Sequence, residues 1–266
     1  GLSLHYVNKR ARRSSAWEDI VGQYEDVTIF DDVGAGATGK PVVVKRILTD
    51  PAESFYELSN RDFMRTDTHA FTAQLTKRMS DGWQAVAAYT YLDSEGVLPS
   101  TRLGLTSAQR ATARFSDFGQ NPNDLVNAGG KLLGDRPHTF KAQVVLQLPA
   151  GFVVGANYLF QSGRAYARRA RIEDPDLGFP SAPVINIEQR DGSRRVPNQS
   201  VLDVRFQKDF RFGAEARFSV FADALNLFNT GTNQDVLSRF VDVDIFGVPS
   251  EFLFPRRVML GAKVTF

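Results

Sequence analysis

The chain has 266 residues and no cysteine, and 32 Lys+Arg against 30 Asp+Glu leave a formal charge of +2. Disulfide frameworks, thiolate zinc sites and cysteine nucleophiles are therefore excluded. Near charge balance gives no footprint for nucleic acid. His5, His69 and His138 lie too far apart in sequence to suggest a metal site, and no cofactor is expected. Mean hydropathy is −0.25, and no run approaches the ~18 apolar residues of a membrane helix. A membrane β-barrel stays open, because only one face of each of its strands is apolar.

Alternation of apolar and polar residues, the mark of a two-faced strand, runs through most of the chain. It predicts eight long strands at about 1–13, 66–80, 82–94, 137–149, 151–164, 199–211, 214–228 and 255–266. Within 14–65 a smaller hairpin is expected, from 20–30 and 41–48. At 138–148 one parity reads Phe140, Ala142, Val144, Leu146, Leu148 and the other Lys141, Gln143, Val145, Gln147. The next strand sets Phe152, Val154, Ala156, Tyr158, Phe160 against Val153, Gly155, Asn157, Leu159, Gln161. Around 214–229 the parity breaks, with Phe221 and Phe228 opposite Phe218 and Val220, and a β-bulge is the expected cause.

Three connections are tight: Ser80-Asp81-Gly82, Pro149-Ala150-Gly151 and Arg211 to Ala214. The others, 14–65, 95–135, 165–198 and 230–253, wander and hold much of the Gly, Pro, Asn and Asp. Short turns on one side and long loops on the other fit transmembrane barrels. Runs of ~10–14 residues also exceed the ~5–6 of soluble strands and match the ~9–11 of a membrane strand. Aromatics gather at strand ends: Trp83, Phe152 and Phe212 near tight turns, and Tyr89, Tyr91, Tyr158 and Phe160 near long loops. The expected class is thus all-β, an antiparallel transmembrane barrel segment. A soluble β-sandwich is the rival. Eight strands could close alone into a small filled barrel, or form one arc of a larger one. Because the chain opens at Gly1 with no initiator Met or signal sequence, a preceding segment is expected.

Motifs for chemistry are sparse. Gly34-Ala35-Gly36-Ala37-Thr38-Gly39 matches G-x-G-x-x-G, and Gly39-Lys40 nearly completes a phosphate loop. Pro41 and the strand-like Val42-Val43-Val44 replace the helix that either motif needs, so a hairpin tip is expected. His138 lies near Asp135, and no G-x-S-x-G elbow exists. Asp174 with Asp176, or Asp242 with Asp244, matches no complete calcium site. No enzyme is expected. Arg164, Arg168, Arg169 and Arg171, with Arg190, Arg194 and Arg195, flank one long loop. They are candidates for a positive mouth that attracts anionic ligands or lipopolysaccharide phosphates; a solvated, merely charged loop is the alternative.

Gly261-Ala262-Lys263-Val264-Thr265-Phe266 ends in an aromatic, with Val264 two residues earlier and Gly261 five earlier. It resembles the C-terminal signal read by the outer-membrane assembly machinery, apart from Leu260 where a polar residue is usual. Other segments carry a wider resemblance: Tyr6, Lys9 and Arg10; Trp17-Glu18-Asp19; Tyr24-Glu25-Asp26-Val27; Gly134-Asp135-Arg136-Pro137-His138 with Phe140-Lys141. Tyr158 to Gly163, Leu202-Asp203-Val204-Arg205 and Asp223 to Asn229 complete the set. In order and spacing these resemble the C-terminal barrel portion of Oar-like TonB-dependent outer-membrane receptors, over nearly all of residues 1–266. The resemblance implies a 22-stranded barrel around an N-terminal plug, opened by the TonB complex through a region outside this chain. Implied substrates are siderophores, cobalamin, glycans or peptides; lipid, lipopolysaccharide and the assembly machinery are the implied partners. Lys141, Gln143, Gln147, Asn157, Gln161, Asp203, Arg205, Gln207, Arg257 and Lys263 are expected to face the lumen or plug. The alternative is a self-contained eight-stranded outer-membrane barrel with a passive or adhesive role.

Overall fold

The computed structural model describes residues 1–97, 118–212 and 216–266. Residues 98–117 of the expected loop 95–135, and the tip of the expected turn Arg211–Ala214, lie outside them. The strands in chain order are β1 (Leu2–Ala11), β2 (Ser15–Asp19), β3 (Tyr24–Phe30), β4 (Pro41–Ile47), β5 (Tyr56–Asn60) and β6 (Thr66–Ser80). They continue with β7 (Trp83–Gly96), β8 (His138–Leu148), β9 (Phe152–Gln161), β10 (Arg169–Arg171) and β11 (Val184–Asn186). The last are β12 (Gln199–Phe212), β13 (Ala216–Leu225), β14 (Asn233–Val236), β15 (Pro249–Phe252) and β16 (Arg257–Thr265).

Eight of these form one antiparallel sheet in the order β1-β6-β7-β8-β9-β12-β13-β16. They correspond one for one to the expected strands, and β3–β4 is the expected hairpin, although β1, β9 and β13 stop two or three residues short. Two turns are as tight as expected. Asp81 and Gly82 (φ 53° and 80°), like Ala150 and Gly151 (φ 61° and 79°), supply the consecutive positive φ angles of a close hairpin. The sheet is open, with β1 and β16 as its edges, so the eight strands do not close on themselves.

Directly opposed residues share a face, and the registers carry one apolar face across all eight strands. It runs from Leu4 and Tyr6 through Phe71, Tyr89, Phe140, Tyr158, Leu202 and Phe218 to Val264. Its aromatic residues gather at the two ends, as expected. Among the described residues no second sheet covers it: Leu4 is 60% exposed, Leu75 60% and Leu260 82%. That observation removes the sandwich. All ten residues expected to face inward lie on the opposite, polar face.

The expected bulge at 214–229 is absent from the described part of that segment, where β12–β13 and β13–β16 keep unbroken registers. Phe221 lies on the polar face, directly opposite Gly261. A Cβ on Gly261 would lie 2.4 Å from the Phe221 ring, so the missing side chain makes room for an aromatic of the wrong parity. Phe228 lies beyond the end of β13. A register shift does occur, but between Lys77 and Ser80 in β6.

Three of the long connections, 14–65, 165–198 and 230–253, fold into four two-stranded pieces, β2–β5, β3–β4, β10–β11 and β14–β15. Val42, Val44, Leu177, Ile185, Ile187 and Val241 form their shared buried core. A smaller cluster joins Ala16, Met64, Phe118 and Ala128. The principal buried apolar core of the described residues is therefore in these connections, which form a cap, and the sheet's own apolar face stays bare.

Candidate functional site

The glycine-rich segment 34–39 closes the β3–β4 hairpin, and no helix follows, so it is a tip and not a phosphate loop. Asp31 organises it. The Asp31 backbone carbonyl accepts from the amides of Thr38 (3.0 Å) and Gly39 (2.7 Å), and its carboxylate accepts from the Thr38 hydroxyl (2.7 Å). Gly34 has φ 75° and approaches Val241 so closely that a Cβ would sit 2.0 Å from the carbonyl oxygen. Only glycine fits there.

Arg168, fully buried, reaches this tip from a segment 137 residues away and pairs with Asp31 at 2.5 Å. Its Nε also donates to the Ala35 carbonyl at 3.0 Å. Burial pushes the Asp31 carboxyl up, but the bonds from Arg168 and Thr38 outweigh it and hold the group below the usual aspartate value.

The other six candidate arginines occupy different settings. Arg195 pairs with the buried Asp135 (2.6 Å) and donates to the carbonyls of Asp135 (2.9 Å) and Gly163 (3.1 Å). Arg164 pairs with Asp235 at 3.1 Å, and Arg194 with Glu188 at 2.9 Å. Arg190 is buried and donates to the Lys131 carbonyl. Arg169 is buried with its guanidinium 5.0 Å from the Phe240 ring centre. Arg171 is exposed, 6.0 Å from the same ring. Burial, with Arg239 nearby, pushes both Arg169 and Arg190 down to about 10, so both remain cationic at neutral pH. Loop position alone could not separate these settings, because every one of these partners except Glu188 of Arg194 is remote in sequence.

The quoted motifs cluster where the cap meets the sheet. The Arg136 guanidinium donates to the Ser162 carbonyl (2.8 Å), the Ser162 amide donates to the His138 carbonyl (2.8 Å), and the His138 amide donates to the Ser162 hydroxyl (3.2 Å). Gly163 follows so tightly that a Cβ would lie 1.5 Å from the Val196 carbonyl oxygen. Asn226, at φ 50°, donates its amide to Asp203 (2.7 Å) and its side chain to the carbonyls of Thr230 and Phe254. These are architectural knots. The His138 ring meets the Tyr89 hydroxyl at 2.7 Å while Asp135 faces Arg195, so no His–Asp dyad forms.

Asp174 caps a short turn by accepting from the Asp176 amide at 2.9 Å. Among the described residues, no three His, Asp or Glu side chains are grouped to hold a metal.

Elsewhere in the cap, Asp19 accepts from the Tyr24 hydroxyl (2.7 Å) and the amides of Gly22 (3.0 Å) and Val21 (3.1 Å). Burial raises its carboxyl, but these bonds outweigh it and hold it at about 2. Sequence order hid this knot, because the Phe55 amide that completes it (3.1 Å) lies 36 residues away.

No family model matches the chain, and no curated protein matches it in sequence. Among solved structures, the outer membrane transporter YddB from Escherichia coli is similar in fold, with a TM-score of 0.53 at 12% identity. The similarity covers 100% of this chain but 30% of that transporter. What is shared is the fold: a long-stranded antiparallel sheet of the kind that an outer-membrane transporter contains.

Proposed function

We propose that residues 1–266 form the C-terminal part of the barrel wall of an Oar-like TonB-dependent outer-membrane receptor, which takes up a scarce nutrient such as a siderophore, cobalamin, glycan or peptide. The continuous, bare apolar face carries this reading. Soluble monomers rarely leave apolar patches beyond a few hundred Å² uncovered, whereas outer-membrane lipid would cover this one. The edge strands β1 and β16 support the larger barrel: their unpaired backbones need neighbours, which the remaining strands of a 22-stranded barrel would supply.

In this reading the cap meets ligand outside. Arg171 and the part-covered Arg164, Arg194 and Arg195 are the reachable cations, while Arg168, Arg169 and Arg190 hold the cap's shape from beneath. The work is binding followed by gated passage, coupled to the TonB complex through a region outside this chain, without a covalent step. Gly261, Val264 and Phe266 form the assembly signal, and Phe266, 98% exposed, is open to the assembly machinery.

Fractionation with heat-modifiable gel mobility tests the location: the whole protein should sediment with the outer membrane and shift on boiling. A detergent-free soluble monomer would sink the proposal. Phe266→Ala should cut the assembled fraction severalfold, and an unchanged yield would remove the signal. Uptake of the ligand should stop when the proton gradient is collapsed.

A further inference from the structure

The polar face is not evenly charged. Along the paired registers it carries seven cations, Lys9, Lys141, Arg205, Arg211, Arg217, Arg257 and Lys263, against three carboxylates, Asp203, Asp209 and Asp223. Each carboxylate is engaged. Asp223 holds Arg205 through two bonds of 2.6 and 2.7 Å. Asp209 accepts from the Ser219 hydroxyl at 2.7 Å and lies 3.7 Å from Arg217. Asp203 accepts the Asn226 amide at 2.7 Å.

Lys9, Lys141, Arg257 and Lys263, by contrast, are exposed and have no carboxylate within ion-pair distance among the described residues; Lys141 stands inside the sheet and the other three on its edge strands β1 and β16. Arg257 lies over the Phe254 ring at 5.2 Å and borders a hollow of about 190 Å³ between Leu225, Leu253 and Asp203. The neighbouring wall has a different character. Along the paired registers of β6 and β7 the same face is uncharged and satisfies itself through pairs such as Thr72–Thr90 (2.9 Å) and Thr68–Ser94 (2.7 Å).

We infer that this face is an anion-attracting wall, and that the solute passing along it carries carboxylate or phosphate groups. The inference rests on the barrel reading, which makes the polar face the inner one. Arg257 and Lys263 are six residues apart on β16, roughly 20 Å along a strand, so the excess cations extend over much of the height of the wall. Unpaired cations on a concave surface raise the local concentration of anions, and basic linings select anions in pores. The three carboxylates offset three of the seven cations, and the paired registers keep a net excess of four positive charges.

The cysteine-free sequence permits a direct test in the complete protein in outer-membrane vesicles. Single thiols are placed on the polar face beside unpaired cations (Gln143→Cys, Thr265→Cys), on its uncharged part (Thr72→Cys) and on the apolar face (Val144→Cys). Each is treated with small anionic and cationic methanethiosulfonates, and the ratio of the two rates is normalised to that of a free thiol. The anionic reagent should be favoured about tenfold more at 143 and 265 than at 72. The preference should shrink in high salt and fall when Lys141→Met or Lys263→Met is added to the neighbouring thiol variant. Equal ratios at 72, 143 and 265 would overturn the anionic inference while leaving the barrel intact. A reactive Val144→Cys with unreactive polar-face thiols would overturn the barrel orientation instead. Thiols silent to both reagents on the polar face would show that it is no solute path, which also overturns the inference.

Discussion

Replacing Asp31 with Ala removes one partner of the most deeply buried ion pair among the described residues. Arg168 has no exposed surface, so without its partner it becomes an uncompensated buried cation, held by carbonyls of the same hairpin tip. Removing one member of such a pair costs about 3–5 kcal/mol, and the lost bonds to Thr38 act in the same direction. At about 1.4 kcal/mol per decade, cap opening should rise roughly two to three and a half orders of magnitude. Hydrogen exchange reads this at the Thr38 and Gly39 amides and at the Ile187 amide, which donates to the Arg168 carbonyl at 3.0 Å. Amides of the β8–β9 ladder serve as the unaffected control. Adding Arg168→Met should restore most of the protection, because the burden is an unpaired charge. Protection of the single variant within about threefold of the parent would refute this account. The same tie has a sign in pH. Since the Asp31 value is depressed on folding, its contribution is complete above the ordinary aspartate range and is lost as pH falls through the depressed value.

Three further outcomes are expected. Asp19, held at about 2 against an ordinary 3.8, should contribute about 2 kcal/mol above pH 4. That contribution should fade between about pH 4 and 2, read as faster exchange of the Gly22 and Phe55 amides on acidification. Gly163→Ala forces a Cβ against the Val196 backbone and should lower the folded yield severalfold, measured by heat-modifiable mobility; a normal yield would show that the close approach relaxes freely. Gly261→Val should destabilise the β13–β16 pair by roughly 1–3 kcal/mol, and Phe221→Ala in the same chain should recover part of that loss in a urea titration. No recovery would mean that Gly261 acts through something other than room for Phe221.

The sheet was legible because its signal is local. Period-two alternation needs only neighbouring residues, and the paired registers then put Lys141, Asn157, Asp203 and Lys263 on one face as the sequence suggested. Phe221 misled for the opposite reason: its place depends on Gly261, forty residues on, and a single strand cannot report a vacancy in its neighbour. The cap was illegible for the same reason. Val44, Leu177, Ile185 and Val241 are scattered through separate connections and look like stray apolar residues until those connections meet. The arginines show this most sharply. Composition revealed a cluster of charge, but Arg168 is separated from Asp31 by 137 residues, so sequence proximity could not distinguish a ligand-facing guanidinium from a structural one.

The placement of the buried core has a mechanical consequence for a chain set in a membrane. In the proposed barrel the sheet's bare apolar face would sit in lipid, and a nodule built on Val44, Leu177 and Ile185 on the water side could not follow it back through. Once the connections have crossed and folded, they act like a knot tied at the end of a thread. Withdrawal would first require that nodule to unravel, its Asp31–Arg168 stitch included. In that reading, ordinary folding in water would become a one-way catch on membrane insertion, without any external source of energy.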